Sequence, residues 1–364
     1  MGDSGSIGKG PRTGIGILDG MTWLLALAVL PWMQSGESFT IAPDALQCSG
    51  KENSRNWVRS AGEYGDVRVR FEYRLAQWAE AVVVLRAHAV GRATLTGIPV
   101  QLAHDFHGMP SRHVTGAIVG VREPVRFLGA SYGEWHRAEI VVVGERVTVR
   151  IDGELVNDAV VPGRHAAGHV GFLDLGHGYA VRGIQIEDLG GAGVYSSLFN
   201  GRDLKGWELR DAGTWRVADG VLAGENGHGI YYAPGEFSDF ELLAVVRSVG
   251  HVNAGLFLRG APDKKLHRGF EVQIYSVPDG VYPTGSIYGQ TRGELTEDHD
   301  GRWALLRIRV ERGTVTTWVD GRMAAQGPVP AGVPATGRVG LQIHLENARI
   351  ECRELRIRTL RAPQ

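Results

Sequence analysis

The chain has 364 residues, a formal net charge of −1 and 43% hydrophobic residues. That length accommodates two domains of ordinary size, and the near-neutral charge argues against a partner such as nucleic acid or an anionic membrane surface. Two cysteines, Cys48 and Cys352, with no Cys-x-x-Cys pair, leave no zinc site of the usual spacing and at most one internal disulfide. Cys352 shares strand parity with Ile350, which favours a buried free thiol.

The first 37 residues read as a leader. Met21 to Met33 (MTWLLALAVLPWM) is an apolar run of 13, short for a bilayer span and of the length of a signal-peptide core. Lys9 and Arg12 lie upstream and Ser35-Gly36 follows. This reading implies a periplasmic or secreted protein with no stable transmembrane span. A structural alternative stays open, because Ile17-Leu18-Asp19-Gly20 echoes Leu198-Phe199-Asn200-Gly201. The segment would then supply the first strand of the domain that follows.

From residue 38 onward strand signals dominate. Val67, Val69, Phe71, Tyr73 and Leu75 alternate with Arg68, Arg70, Glu72 and Arg74, the period-2 pattern of a half-buried strand. Val147, Val149 and Ile151 lead into Asp152-Gly153, and Val315, Thr317 and Val319 lead into Asp320-Gly321. Asp-Gly suits a tight hairpin turn, since both residues tolerate positive φ. These two hairpins belong to a larger duplication. Gly62-Glu63-Tyr64-Gly65-Asp66 returns as Gly235-Glu236-Phe237-Ser238-Asp239; Thr115-Gly116-Ala117-Ile118 returns as Thr284-Gly285-Ser286-Ile287; Trp135 returns as Trp303. The spacing drifts by only a few residues, so one domain occurs twice. Repeat one spans 38–189, a glycine-rich joint spans 190–196, and repeat two spans 197–362. Short strands broken by Gly and Pro predict an all-β chain of two tandem β-sandwich or jelly-roll domains.

Each repeat serves as a control for the other: what both share belongs to the fold, and what one alone keeps is a candidate for function. Repeat one carries His104-Asp105-Phe106-His107, with His113 nearby. His104, Asp105 and His107 are weak candidates for a divalent metal ion, the one cofactor the residues suggest. A polar loop whose histidines never converge is the plainer alternative, because no spacing there is diagnostic.

Repeat two opens with Leu198-Phe199-Asn200-Gly201-Arg202-Asp203-Leu204-Lys205-Gly206-Trp207. It continues through Asn253-Ala254-Gly255-Leu256-Phe257-Leu258-Arg259, Gly269-Phe270-Glu271-Val272-Gln273-Ile274, Thr284-Gly285-Ser286-Ile287-Tyr288 and Gly340-Leu341-Gln342-Ile343-His344. As an ordered set these resemble the 3-keto-disaccharide hydrolase domain family, over essentially residues 197–360; repeat one resembles it more loosely over 39–189. The resemblance implies a concanavalin A-like jelly roll and action on 3-keto-glycosides. The pattern departs at Ser276, where the family has an Asp, and at Ala304, where it has an Asn.

Strand parity then sorts the faces. Glu271, Gln273 and Tyr275 point away from Phe270, Val272 and Ile274; Gln342 and His344 point away from Leu341 and Ile343; Asn253 and Arg259 share parity. We expect Glu271 and His344 as acid and base, with Asn253, Arg259, Gln273, Tyr288 and Gln342 binding a sugar through amides, charge and a ring. Arg259 as a salt bridge to Glu271 is an alternative to a substrate contact. In repeat one the matching positions include Pro99, Leu173 and Leu175. That apolar face calls for cover by the other repeat or by a partner, which makes self-association through repeat one a further expectation. Two other functions remain open: a lectin-like protein that binds an oligosaccharide without cleaving it, and a structural scaffold docking through repeat one.

Overall fold

In the computed structural model the described residues are 31–51, 56–104, 113–129, 131–190, 195–261, 268–275, 280–344 and 348–360. Repeat one is a sandwich of two antiparallel sheets. Its front sheet runs Trp32–Gln34, Trp57–Ser60, His169–Leu173, Glu80–Ala87, Ile98–Ala103 from edge to edge. Its back sheet runs Glu154–Val160, Arg146–Ile151, His136–Val143, Asp66–Leu75, Tyr179–Gly190, Ala45–Cys48, Phe39–Ile41. The alternation read in Asp66–Leu75 is real: Val67, Val69, Phe71, Tyr73 and Leu75 are buried between the sheets. Each such side chain contributes roughly 1.5–3 kcal/mol when fully buried.

Repeat two follows the same plan with its sheets joined. The long strand Val221–Tyr232 pairs through Leu222–Glu225 with Arg349–Thr359 in the back sheet, and through Gly229–Tyr232 with Arg338–Ile343 in the front sheet. Two tandem jelly-roll sandwiches are therefore present, as expected. The Asp-Gly hairpins are two-residue turns with positive φ at both positions, 49° and 85° at Asp152-Gly153 and 50° and 85° at Asp320-Gly321. Cys48 and Cys352 are both free and buried, and burial pushes each thiol up to about 12. No helix among the described residues is long and apolar enough to cross a membrane.

Three boundaries change. Residues 1–30 of the leader lie outside the described residues, but Trp32–Gln34 pairs with Val58–Ser60, and Trp32 packs 6.1 Å from Phe172 between ring centroids. The domain thus begins before residue 38, because this strand completes the edge of the front sheet. The joint expected at 190–196 is shorter. Gly190 still ends a strand, and Tyr195 is buried against Glu241.

The repeats meet on one face. On the back sheet of repeat two, Leu243, Val245 and Leu305 point away from the core and pack with Tyr195, Trp303, Val90 and Ala166. Beside them Arg307 bonds the Glu241 carboxylate at 2.6 Å and reaches across to the carbonyls of Gly163 and Arg164 in repeat one. Burial pushes the Glu241 carboxyl up, but Arg307, Arg358 and Tyr195 outweigh it and hold the group below the usual carboxylate range. A second chain of charges, His88–Glu354–Arg356–Glu63, crosses the same boundary, with links of 3.0, 2.7 and 2.7 Å. Removing one partner of a buried pair strands the other charge, at a cost of about 3–5 kcal/mol. Glu241→Ala should therefore lower unfolding free energy by about that amount. Urea denaturation followed by tryptophan fluorescence reads it; a loss below ~1 kcal/mol would mean that water replaces the carboxylate easily.

Candidate functional site

Among the described residues no strand of repeat one pairs with the front sheet of repeat two. Its register aligns Ile230, Gln342, Gly255 and Gln273 in one row, and Tyr232, Gly340, Phe257 and Glu271 in the next. Ile230, Tyr232 and Phe257 form an apolar floor separate from the main core, with the Tyr232 and Phe257 rings 6.2 Å apart. Glu271 stands at the edge of that floor.

Gly255 explains how the carboxylate lies. A Cβ at Gly255 would sit 2.1 Å from Glu271 Oε1, so the absence of a side chain lets the carboxylate fold across the strand. There it meets Gln342. With its amide nitrogen facing the carboxylate, Gln342 donates at 2.5 Å to Oε1 and 3.2 Å to Oε2. No ion pair to Glu271 occurs among the described residues. Desolvation pushes the Glu271 carboxyl up to about 7.

The rest of the expected set divides. Gln273 is buried and donates from Nε2 to Asn253 Oδ1 at 2.7 Å, making an amide pair beside Gly255. Tyr288 is exposed, stacks near Tyr282 at 5.2 Å, and donates its backbone N–H to the Glu271 carbonyl at 2.9 Å. His344 is exposed at the end of its strand, its amide bonded to the Asn253 carbonyl at 3.0 Å. It lies two strands from Glu271 and one row beyond Gln342, with no hydrogen bond to the carboxylate among the described residues. Its ring instead meets His228 edge to face, 4.6 Å between centroids.

Arg259 is a correction. Its φ is +49°, and the register slips on both sides of it, between Phe257 and Gly260 and between Leu258 and Ala261. This bulge breaks the alternation from which it was placed beside Glu271. The buried guanidinium binds the Ser238 carbonyl at 2.9 and 2.7 Å and Asp239 at 3.2 Å. Arg86 does the same in repeat one, bonding Gly65 O and Asp66 at 2.7 Å with φ +55°. An arrangement that both repeats keep belongs to the fold.

Sequence parity missed His228, Ile230 and Tyr232. They lie on Val221–Tyr232, whose alternating apolar and glycine pattern (Gly227, Gly229) would have marked a strand. Of the metal candidates, Asp105 and His107 lie outside the described residues. His104 Nδ1 accepts the Trp78 amide at 3.1 Å, and no group of three metal-ligating side chains occurs among the described residues.

In repeat one the same register places Val82 where Gly255 stands, Pro99 at Glu271 and Leu173 at Gln342. Val82, Val84, Trp57, Ala87 and Leu173 form a buried apolar layer, joined by Ala93 of the short helix Ala93–Thr96. The cover expected from the other repeat or from a partner is thus supplied in part by the segment that follows Glu80–Ala87. Repeat one has filled the face that repeat two leaves open.

Repeat two is thus an all-β jelly-roll sandwich whose front sheet carries a buried apolar cluster with amides around one carboxyl. The chain matches the 3-keto-alpha-glucoside-1,2-lyase-like domain family in two segments, 28–187 and 194–358, and belongs to that family through both repeats. No curated protein matches it. Among solved structures it is similar to a Parabacteroides distasonis ATCC 8503 protein provisionally described as a glycosyl hydrolase, at 20% identity and TM-score 0.41, over 46% of this chain and 94% of that one. It is also similar to the carbohydrate-binding module CBM66 from Bacillus subtilis, at 13% identity and TM-score 0.36, over 44% of this chain and 98% of that one.

The raised carboxyl has a thermodynamic sign. Its folded-state pKa of about 7 lies above the ordinary 4.5, so folding favours the protonated form. The cost to stability is absent below the ordinary value, grows as pH rises, and is complete above about 7. Glu271→Gln removes the charge, so its melting temperature should exceed that of the parent by a margin that widens between those values and then levels off. A constant margin across that range would show that the carboxyl titrates normally. Gly255→Ala should push the carboxylate off Gln342 toward water and bring its titration, followed by carbon-13 NMR, down, because rehydration favours the charged form by more than the lost amide hydrogen bond disfavours it.

Proposed function

We propose that repeat two cleaves 3-keto-glycosides, sugars whose C3 hydroxyl has already been oxidised to a ketone. The ketone acidifies the C2 proton. Glu271 removes it, and the electron pair delocalises onto the C3 oxygen as an enolate. The enolate re-forms the C3 carbonyl as the C1–O bond breaks, which leaves a C1=C2 enone and an aglycone alkoxide that takes up a proton. Water then adds to C1 while C2 regains a proton, so the net change is hydrolysis. Gln342, Gln273 and Asn253 supply amide dipoles around the ring and its enolate oxygen. Ile230, Phe257 and Tyr232 take its apolar face. His344, with His228 beside it, serves the departing oxygen at the open end.

One observation carries this reading: a carboxyl held near neutrality by desolvation, in the open face of the one repeat that keeps the polar set. A base of pKa about 7 is partly ionised at neutral pH and strong enough to take an acidified C–H proton. A lectin-like reading, in which the same amides only bind hydroxyls, is the second.

The experiment is incubation of the purified chain with 3-keto-trehalose and with trehalose, with and without Mn²⁺ or Ca²⁺, following release of 3-keto-glucose. Release from the keto-sugar alone is expected, with kcat/KM rising with pH through about 7 as Glu271 ionises. Glu271→Gln should lower kcat by about 100-fold or more, the range of a lost general base, and leave KM nearly unchanged. Binding of both sugars with no turnover would establish the lectin-like reading instead.

A further inference from the structure

Repeat one has its own exposed feature, away from its filled front face. The turn between Asp66–Leu75 and Glu80–Ala87 carries Trp78, with φ +63° and 53% of its surface exposed. His104 follows the strand Ile98–Ala103, and its ring lies 5.4 Å from Trp78. Tyr132 precedes His136–Val143; it is 49% exposed and lies 4.8 Å from His104, edge to face. The three rings cluster at one end of the sandwich, with planes tilted by 55° between Trp78 and His104 and by 71° between His104 and Tyr132.

Repeat two shows what the fold alone requires there. Its equivalent turn has His251, also at positive φ, +54°. Asp300, at the position of Tyr132, accepts the turn amides of Gly250 and His251 at 3.3 and 3.1 Å. The turn therefore needs an acceptor for its N–H groups and tolerates a side chain at positive φ; it does not need an indole. In repeat one His104 Nδ1 has become the acceptor for the Trp78 amide, at 3.1 Å. That bond places the imidazole proton on Nε2, and it relieves position 132 of the capping role. A tryptophan and a tyrosine half exposed to water carry a hydrophobic cost that the fold does not explain. A bulky residue at positive φ is also strained, the kind of outlier that clusters at ligand sites.

We propose that Trp78, His104 and Tyr132 form a saccharide-binding platform on repeat one, separate from the open face of repeat two. The exposed indole and phenol rings pack on the C–H faces of a neutral pyranoside chain, and the phenol donates to its hydroxyls. A protein partner fits less well. The patch is three rings wide, Glu80 and Glu134 border it in the chain, and a stable protein interface needs about 1,000 Å² or more. Repeat one would then hold a polymeric or oligomeric glycan while repeat two works on a sugar unit. The platform does not depend on what repeat two does.

The test is calorimetric titration of the full chain with maltohexaose, cellohexaose and laminarihexaose. At least one should bind. Trp78→His installs the residue that the same turn carries in repeat two, so it keeps the backbone and removes the indole; it should weaken binding at least tenfold with an unchanged melting temperature. Tyr132→Ala should weaken it as well, and Glu271→Gln should leave it unaltered. Absence of binding to all three hexasaccharides, or binding that survives Trp78→His, overturns the proposal. Binding lost in Glu271→Gln but kept in Trp78→His would put the glycan on repeat two's open face and overturn it too. A platform that binds while no keto-sugar is cleaved would leave this inference standing and remove the catalytic one.

Discussion

The buried Glu241–Arg307 pair is the contact on which the arrangement of this protein turns. Taking a carboxylate and a guanidinium from water together is costly, and further hydrogen bonds to each group offset that cost. Here the two terminal nitrogens of the guanidinium donate to Glu241 and to carbonyls of repeat one, its Nε stays buried without a partner, and Tyr195 at the joint donates to the carboxylate. The contacts to Gly163 and Arg164 exist only when the repeats are docked. Leu243, Val245 and Leu305 of repeat two's back sheet are thereby buried on the side away from the core.

The same sheet in repeat one shows the alternative. Where repeat two has Leu243, Val245 and Leu305, repeat one has Arg70, Glu72 and Arg137, exposed and tied in a ladder with Glu139 and Arg182. Such pairs contribute little to stability, but they keep that face wet and unsuited to a third repeat docked in the same way. The front faces diverge in the opposite sense. Repeat one fills its own with Trp57, Val82, Val84 and Leu173; repeat two leaves glycine at 255 and places one carboxyl over it. Duplication has been followed by a division of surfaces: one repeat contributes a docking end and an aromatic edge, the other an open, partly dry face.

Glu271 shows how little is needed to change a carboxyl's chemistry. No charge pushes on it. A glycine beneath, a phenylalanine opposite and a neutral amide alongside suffice, because the penalty for ionising in poor solvent is large when no cation offsets it. Folding therefore disfavours the ionised form of Glu271.

The amino-acid sequence by itself determined the duplication, the all-β class, the Asp-Gly hairpins and the strands bearing Glu271, Gln273 and Gln342. Period-2 alternation and turn chemistry are local properties, written in neighbouring residues. The run Phe240 to Val246, apolar at nearly every position, also held the sign that one sheet is buried twice, though not what buries it. Tertiary structure alone decided the rest. Arg259 left the site because a bulge inverted its parity, and a bulge depends on how three strands register. His228 and Tyr232 joined it because one long strand crosses from sheet to sheet. The carboxyl's shift arose from desolvation by residues far apart in the chain, and burial is a property of the packed molecule that no local pattern records.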